Sequence, residues 1–270
     1  MTDIAVVEPP PLAADVFGSR LDIAMRYVGW LTGTGVERGL VGPRESERIW
    51  QRHVLNCVGA SALVPPNCSV IDIGSGAGLP GVVLAIARPD LDIVLVESML
   101  RRTTFLDDVV ADLGLSRVTI HRSRAEDLRN AGLSADVVTA RAVAPMDRLA
   151  GWAAPLLGDN GQLVALKGSG VVDEVAQALP ALRSARLGAG RLVAVLPGTP
   201  DDGATTFQPG LVTREQGRWH LDSSDPSFQP AADVAGASSA AVAEADRLAL
   251  VAAFGKSATG LSSRPSVGLG

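Results

Sequence analysis

The sequence predicts an α/β protein built on a doubly wound, mostly parallel sheet and preceded by a small helical cap. Three observations carry that expectation. Short apolar runs alternate with helix-length stretches from about residue 69 to 196. A glycine-rich turn over residues 74–81 follows the first of those runs. The sixty or so residues before it have helical rather than strand spacing. Strands alternating with helices at this spacing imply parallel pairing through right-handed crossovers. Ligands in such a plan bind beyond the carboxyl ends of the strands.

Taken in chain order, residues 1–15 are proline-rich and are expected to be disordered. Residues 16–31 place Leu21, Met25, Val28 and Leu31 at helical intervals. Residues 33–42 break that pattern. Pro43 then opens a second helix, continued by Ile49, Trp50, His53, Val54, Cys57 and Val58. Residues 16–62 are thus a helical cap. A core over residues 63–197 follows, with strands expected at 70–73, 92–96, 118–121, 135–140, 162–166 and 191–196. Helices are expected at 80–88, 101–113, 145–157 and 171–183. Residues 198–270 are rich in Ala, Ser, Gly and Pro, and are expected to form a flexible tail with at most one Ala-rich helix over 231–254.

Composition narrows the class. A chain of 270 residues, 47% hydrophobic, can hold one sizeable domain plus extensions. It has no run of ~18 apolar residues to span a membrane. Its start lacks the basic and apolar regions of a secretory signal. Cys57 and Cys68 are the only cysteines, so neither a disulfide framework nor a metal cluster is legible. These features suit a reducing cytoplasm, and the protein is expected to be a monomer. A net charge of −5 argues against a general nucleic-acid coat protein and leaves room for a local basic face. Of the 24 basic residues only Lys167 and Lys256 are lysines, which makes a lysine inside the core worth noting.

Chemistry enters at Asp72-Ile73-Gly74-Ser75-Gly76-Ala77-Gly78-Leu79-Pro80-Gly81. Glycines at alternate positions let the backbone turn sharply and approach a ligand with no Cβ in the way. The helix behind them offers free N–H groups. Glu97, at the end of the second strand, can accept hydrogen bonds from both hydroxyls of a ribose. Together they can hold an adenosine moiety. Gly76-x-Gly78-x-x-Gly81 formally matches the dinucleotide fingerprint. The glycines begin two residues earlier, however, with Asp72 before them, and Asp-x-Gly-x-Gly-x-Gly resembles the class I methyltransferase pattern, in which the acid faces the aminoacyl end of the cofactor. A glycine turn with no ligand is the bland alternative.

Beyond that loop the chain closely resembles the ribosomal RNA small subunit methyltransferase G family, also called glucose-inhibited division protein B. The resemblance runs from about Val16 to Gly168 and rests on five segments in the family's order. They are Arg52-His53-Val54-Leu55, the loop with its Leu79-Pro80-Gly81 ending, Ser123-Arg124-Ala125-Glu126, Ala140-Arg141-Ala142 and Ala165-Leu166-Lys167-Gly168. It implies a class I, Rossmann-like fold and S-adenosylmethionine as cofactor. It also implies methylation of N7 of guanine 527 in 16S ribosomal RNA, within the small subunit or an assembly intermediate. The cofactor pocket it implies is lined by Gly74, Leu79, Ala125, Glu126 and Arg141, beside Asp72, Gly76, Gly78 and Glu97. The chain departs from the family at Gly39-Leu40-Val41 and at Asn56-Cys57, and the stretch after about Leu187 does not match the final strand pair of the family's seven-stranded sheet.

Guanine N7 has an in-plane lone pair and no proton to lose, so transfer to it needs no general base. Positioning and electrostatics carry such catalysis. Arg141 is the first candidate to orient guanine or cofactor and Lys167 the second, since both fall at carboxyl ends of neighbouring strands. Arg44, Arg48 and Arg52 recur every four residues, a helical stripe able to track an RNA backbone, although Glu45 and Glu47 interleave it. Arg101 and Arg102 open a helix, where positive charge opposes the macrodipole, and are read as phosphate contacts. His53 is either a further RNA contact or a packed histidine. The alternatives are a methyltransferase of another substrate, or a nucleotide-binding protein without turnover.

Overall fold

The computed structural model describes residues 7–168, 170–197, 207–215, 218–222 and 249–256. Its sheet has the strand order β3-β2-β1-β4-β5-β9-β6-β7-β8. Strands β1 (Ser69–Ile73), β2 (Asp92–Glu97), β3 (Val118–Arg122), β4 (Ala135–Arg141) and β5 (Leu157–Lys167) are parallel. Strands β6 (Leu187–Pro197), β7 (Phe207–Glu215), β8 (Arg218–Asp222) and β9 (Ala249–Lys256) add antiparallel pairs. The order reverses between β1 and β4, so the crevice for a ligand opens at the carboxyl end of β1.

The central parallel strands β1, β2, β4 and β5 bury apolar residues on both faces, and alternation sends them to two cores. Val70, Ile93, Leu95, Val137 and Val164 pack with the cap and with helices α5 (Gly81–Ala87) and α6 (Leu100–Leu113). Ile71, Ile73, Val138, Leu163 and Ala165 pack against α7 (Met146–Ala153) and α8 (Val171–Ser184). Asp72 shares its face with Val70 and so points to the cap side.

The cap belongs to the first of these cores. Its helices α1 (Pro11–Phe17), α2 (Leu21–Thr32) and α3 (Thr34–Glu37) bury Phe17, Tyr27 and Leu31. Helix α1 overturns the expectation of disorder for residues 11–15. Pro11 suits a first helical turn, and Ala13 and Phe17, one turn apart, are buried. Residues 1–6 lie outside the described residues. The second cap helix is also not the regular one expected. A 3-10 stretch, Pro43–Arg48, gives way to a π-helical stretch, Ile49–Leu55, and then to α4 (Asn56–Val58).

The largest correction concerns the tail. Strand β9 lies between β5 and β6, pairing Leu163 with Phe254 on one side and Leu187 with Lys256 on the other. This is the strand missing from the sequence-level account of the sheet, and the β7–β8 hairpin extends it further. The supposed helix over 231–254 is strand from Ala249 onward, and its earlier part lies outside the described residues. A run of small residues interrupted by Phe254 shows neither period clearly. Burial of Val251, Ala253 and Phe254 in the sheet decides the matter. Among the described residues no helix is long and apolar enough to cross a membrane.

A tail and a central strand respond differently to truncation of one side chain. Phe254 is 4% exposed and packs among Leu163, Leu182 and Leu187. Phe254→Ala is expected to cost about 3 kcal/mol in urea unfolding. A change near zero would return residues 249–256 to the tail.

Candidate functional site

The turn after β1 is closed by backbone bonds to β2. Gly74 N–H and Ser75 N–H both donate to Val96 O, at 2.8 and 3.0 Å. Gly78 N–H and Leu79 N–H then fold back to Ser75 O, at 2.7 and 3.1 Å. Gly74, Gly78 and Gly81 each leave no room for a Cβ, and the last two meet the loop's own neighbours. Gly78 has φ +97°, and a Cβ on it would stand 2.5 Å from a Val82 methyl. A Cβ on Gly81 would stand 2.3 Å from a Leu95 methyl and 2.8 Å from Asp72 Oδ2. The glycine of the Leu79-Pro80-Gly81 ending is therefore set by contact with β1 and β2.

Asp72 is fully buried. Its Oδ2 accepts from Gly81 N–H, 3.1 Å, at the start of α5, while its Oδ1 is buried with no hydrogen-bond partner. Burial pushes this carboxyl up to about 7, only partly offset by the nearby Ser75 hydroxyl and Gly81 N–H; Glu97 raises it further. An orphaned carboxylate oxygen under a glycine turn is a place for a cationic or hydrogen-donating group.

Glu97, 4% exposed, organises the other side of the turn. Its Oε1 accepts from Ser98 and Met99 N–H, both 2.9 Å. Its Oε2 accepts from Gly76 N–H at 3.1 Å and faces Arg102 Nη1 at 3.4 Å. The long Arg102 contact is the weakest of these. Beside it, Met99 and Leu100 stand 42% and 60% exposed. Sequence reading passed over this apolar pair, whose signal was its place shortly after Glu97. Ser123 N–H donates to Glu97 O at 3.2 Å and brings in Ala125, half-buried, and Glu126, exposed. Leu79 is half-buried in the loop.

Arg141 ends β4 and turns its guanidinium onto the cap. Nη1 donates to His53 O (3.4 Å) and Cys57 Sγ (3.1 Å); Nη2 donates to Arg52 O (3.2 Å) and His53 Nδ1 (2.7 Å). The next residue, Ala142, takes a left-handed φ of +52°, and beyond it Val143 packs where a Cβ on Gly74 would clash. Tyr27 donates from its hydroxyl to Ala77 O, 2.8 Å, in the loop. Burial holds its phenol well above its ordinary value, so it remains a donor. Tyr27, Cys57, Asp72 and Arg141 lie near enough to act on one another's charge.

The remaining candidates separate. Lys167 is at the right strand end, but its Nζ is turned to Glu174 Oε1 (2.6 Å) and Ala144 O (3.0 Å). The same Glu174 oxygen accepts from Met146 N–H, 2.7 Å, so Lys167 pins the segment that follows Arg141. Arg44, Arg48, Arg52 and Arg101 are exposed. The expected stripe is not one helical line. Arg44 sits on the 3-10 stretch, where three residues complete a turn, so four-residue spacing moves it away from Arg48. Arg102 is drawn to Glu97, and His53, its side chain 15% exposed, is held between Arg141 and Glu45. Among the described residues no group of His, Cys, Asp and Glu side chains could hold a metal ion.

The family model for rRNA small subunit methyltransferase G matches residues 20–189. A ribosomal RNA small subunit methyltransferase G from Nocardioides sp. is 57% identical over 174 residues, covering 64% of this chain and 69% of that one. One from Salinispora tropica is 51% identical, covering 70% and 81%. One from Thermobifida fusca is 47% identical over 207 residues, covering 77% and 87%.

The contact at Gly81 yields a measurable contrast. Gly81→Ala is expected to lower stability by about 1–3 kcal/mol through overpacking against Leu95 and Asp72. Gly151→Ala, in α7 with nothing within 4 Å, is expected to be neutral or stabilising. Equal urea midpoints for the two variants would remove steric contact as the reason for glycine at 81.

Proposed function

Because this chain belongs to the rRNA small subunit methyltransferase G family, we propose that it methylates N7 of guanine 527 in 16S ribosomal RNA. It is an rRNA methyltransferase dependent on S-adenosylmethionine, which supplies a methyl group activated by its sulfonium. The observation that supports the finer reading is the family match over residues 20–189; Arg141, at the end of β4 and anchored to the cap, is the first candidate to orient base or cofactor.

The residues present suit the cofactor. The orphaned, buried Asp72 Oδ1 would accept from its ammonium group. Glu97 would hold the ribose hydroxyls, with Gly74, Gly76 and Gly78 keeping side chains out of the way. Leu79, Ala125 and Glu126 would complete the pocket. Guanine N7 has no proton to give up, so the chain's work is to bind, orient and exclude water. Arg141 orients the base or the cofactor, and Lys167 supports it by fixing the following segment. Arg44, Arg48, Arg52 and Arg101 are the rim contacts to RNA phosphates, acting through charge and weakened by salt. Arg102 and His53 act inward instead.

The decisive experiment transfers labelled methyl groups onto small-subunit particles from a strain lacking this gene and maps the modified base. A label on another nucleotide would move the reading to a different RNA site. Tight cofactor binding with no transfer would leave a nucleotide-binding protein.

Two outcomes are expected from variants. Arg141→Ala should lower methyl transfer at least about 100-fold while keeping native circular dichroism, since misplacement of an orienting group costs on that order. Near-normal turnover would sink its assignment. Asp72 gives a pH signature. Its raised value means that the ionised form is disfavoured in the free protein, and a bound ammonium favours it. Cofactor affinity should therefore rise with pH up to about 7, with proton release on binding, and Asp72→Asn should abolish both. Calorimetry in two buffers of different ionisation enthalpy reads this directly; no proton release below that pH refutes the ammonium contact.

A further inference from the structure

The cap and the catalytic edge meet at one side chain whose hydrogen bonds admit a single arrangement. Arg141 is a guanidinium and can only donate. His53 Nδ1, 2.7 Å from its Nη2, must therefore be the unprotonated ring nitrogen. The ring hydrogen then sits on Nε2, which points at Glu45 Oε2, 2.9 Å away. Glu45 thus selects the tautomer that Arg141 requires, and His53 is neutral in this arrangement. The π-helical stretch adds two more acceptors by presenting the Arg52 and His53 carbonyls to the same guanidinium. Among the described residues, the four acceptors of Arg141 all lie between residues 52 and 57, although Arg141 itself ends a strand more than eighty residues later.

We propose that His53 is a positioning residue for Arg141, with Glu45 fixing its tautomer, so that the cap sets the aim of the guanidinium at the catalytic edge. This rests on the reading that Arg141 orients the base or cofactor. Its physical content is that a long, flexible side chain keeps many rotamers unless several acceptors fix its fork. Two of the four acceptors, the Arg52 and His53 carbonyls, keep their places only if the π-helical stretch keeps its shape; the His53 ring, on the same stretch, also depends on Glu45, and Cys57 Sγ follows on α4. Exposed Arg52 pairs with the other Glu45 oxygen, Oε1, at 3.4 Å, so contact at Arg52 can reach His53 through one carboxylate.

The test compares substitutions in the full chain, with methyl transfer to unmodified small-subunit particles and cofactor affinity measured separately. His53→Leu removes the acceptor; His53→Asn keeps an acceptor near the position of Nδ1. Glu45→Gln keeps an acceptor for Nε2–H and Glu45→Ala does not. His53→Leu is expected to lower kcat about 10–100-fold with KM for RNA and cofactor affinity within about 2-fold. His53→Asn should recover most of that loss, and Glu45→Gln should exceed Glu45→Ala. In an Arg141→Lys background, single-turnover rates should show little further loss from His53→Leu, because both changes remove the same interaction. The proposal is overturned if His53→Leu raises only KM for RNA, which would make His53 a direct RNA contact. It is also overturned if the two losses add fully, or if His53→Leu turns over normally while Arg141→Ala is inactive. Normal turnover of Arg141→Ala overturns the underlying reading as well.

Discussion

The arrangement depends on one crowded contact, the approach of the α5 N-terminus to the Asp72 carboxylate. Gly81 N–H donates to Oδ2, and no side chain can stand at Gly81 without striking Asp72 or Leu95. That contact fixes where the chain leaves the turn, and so fixes the glycine backbone between Asp72 and α5. It also leaves the second carboxylate oxygen buried and unpartnered. A buried carboxyl in this state is costly for stability and suited to a ligand that supplies the missing donor.

Around the loop, the protein adds a second layer of constraint from a distance in sequence. Tyr27 of the cap holds the Ala77 carbonyl, and Glu97 of β2 holds the Gly76 amide. Arg141 of β4 reaches back to the cap through His53 and Cys57. The cap is therefore part of the site's framework. Its helices share one apolar core with α5, α6 and the near face of the sheet, so the cap cannot shift without disturbing the loop's supports.

The far half of the sheet serves a different end. Strand β9 fills the gap between β5 and β6 and covers two strand edges that would otherwise expose unpaired backbone groups. The family match stops at residue 189, near the start of β6, so β7, β8 and β9 lie beyond it. Lys256 at the end of β9 donates to Leu157 O at 2.5 Å, tying the last described strand to the start of β5.

Much of this was readable from local pattern. The alternating runs marked β1 to β6 within a few residues, except that β5 begins at Leu157 rather than near 162 and β6 at Leu187 rather than 191. The turn motif marked Asp72 and the glycines, because these requirements arise within ten residues of chain. Residues 11–15 and 249–256 were misread because proline and small residues carry weak periodicity, and burial against distant elements settles their form. The same limit applied to side chains. Position at a strand end singled out Arg141 and Lys167 alike, yet one engages the cap and the other pins a neighbouring segment to Glu174. His53 was recognised and its role left open, since its partner Arg141 lies 88 residues away. Sequence determined what short-range backbone geometry and hydrophobic period dictate. Tertiary structure alone decided which polar groups met, because long-range packing brings the partners together.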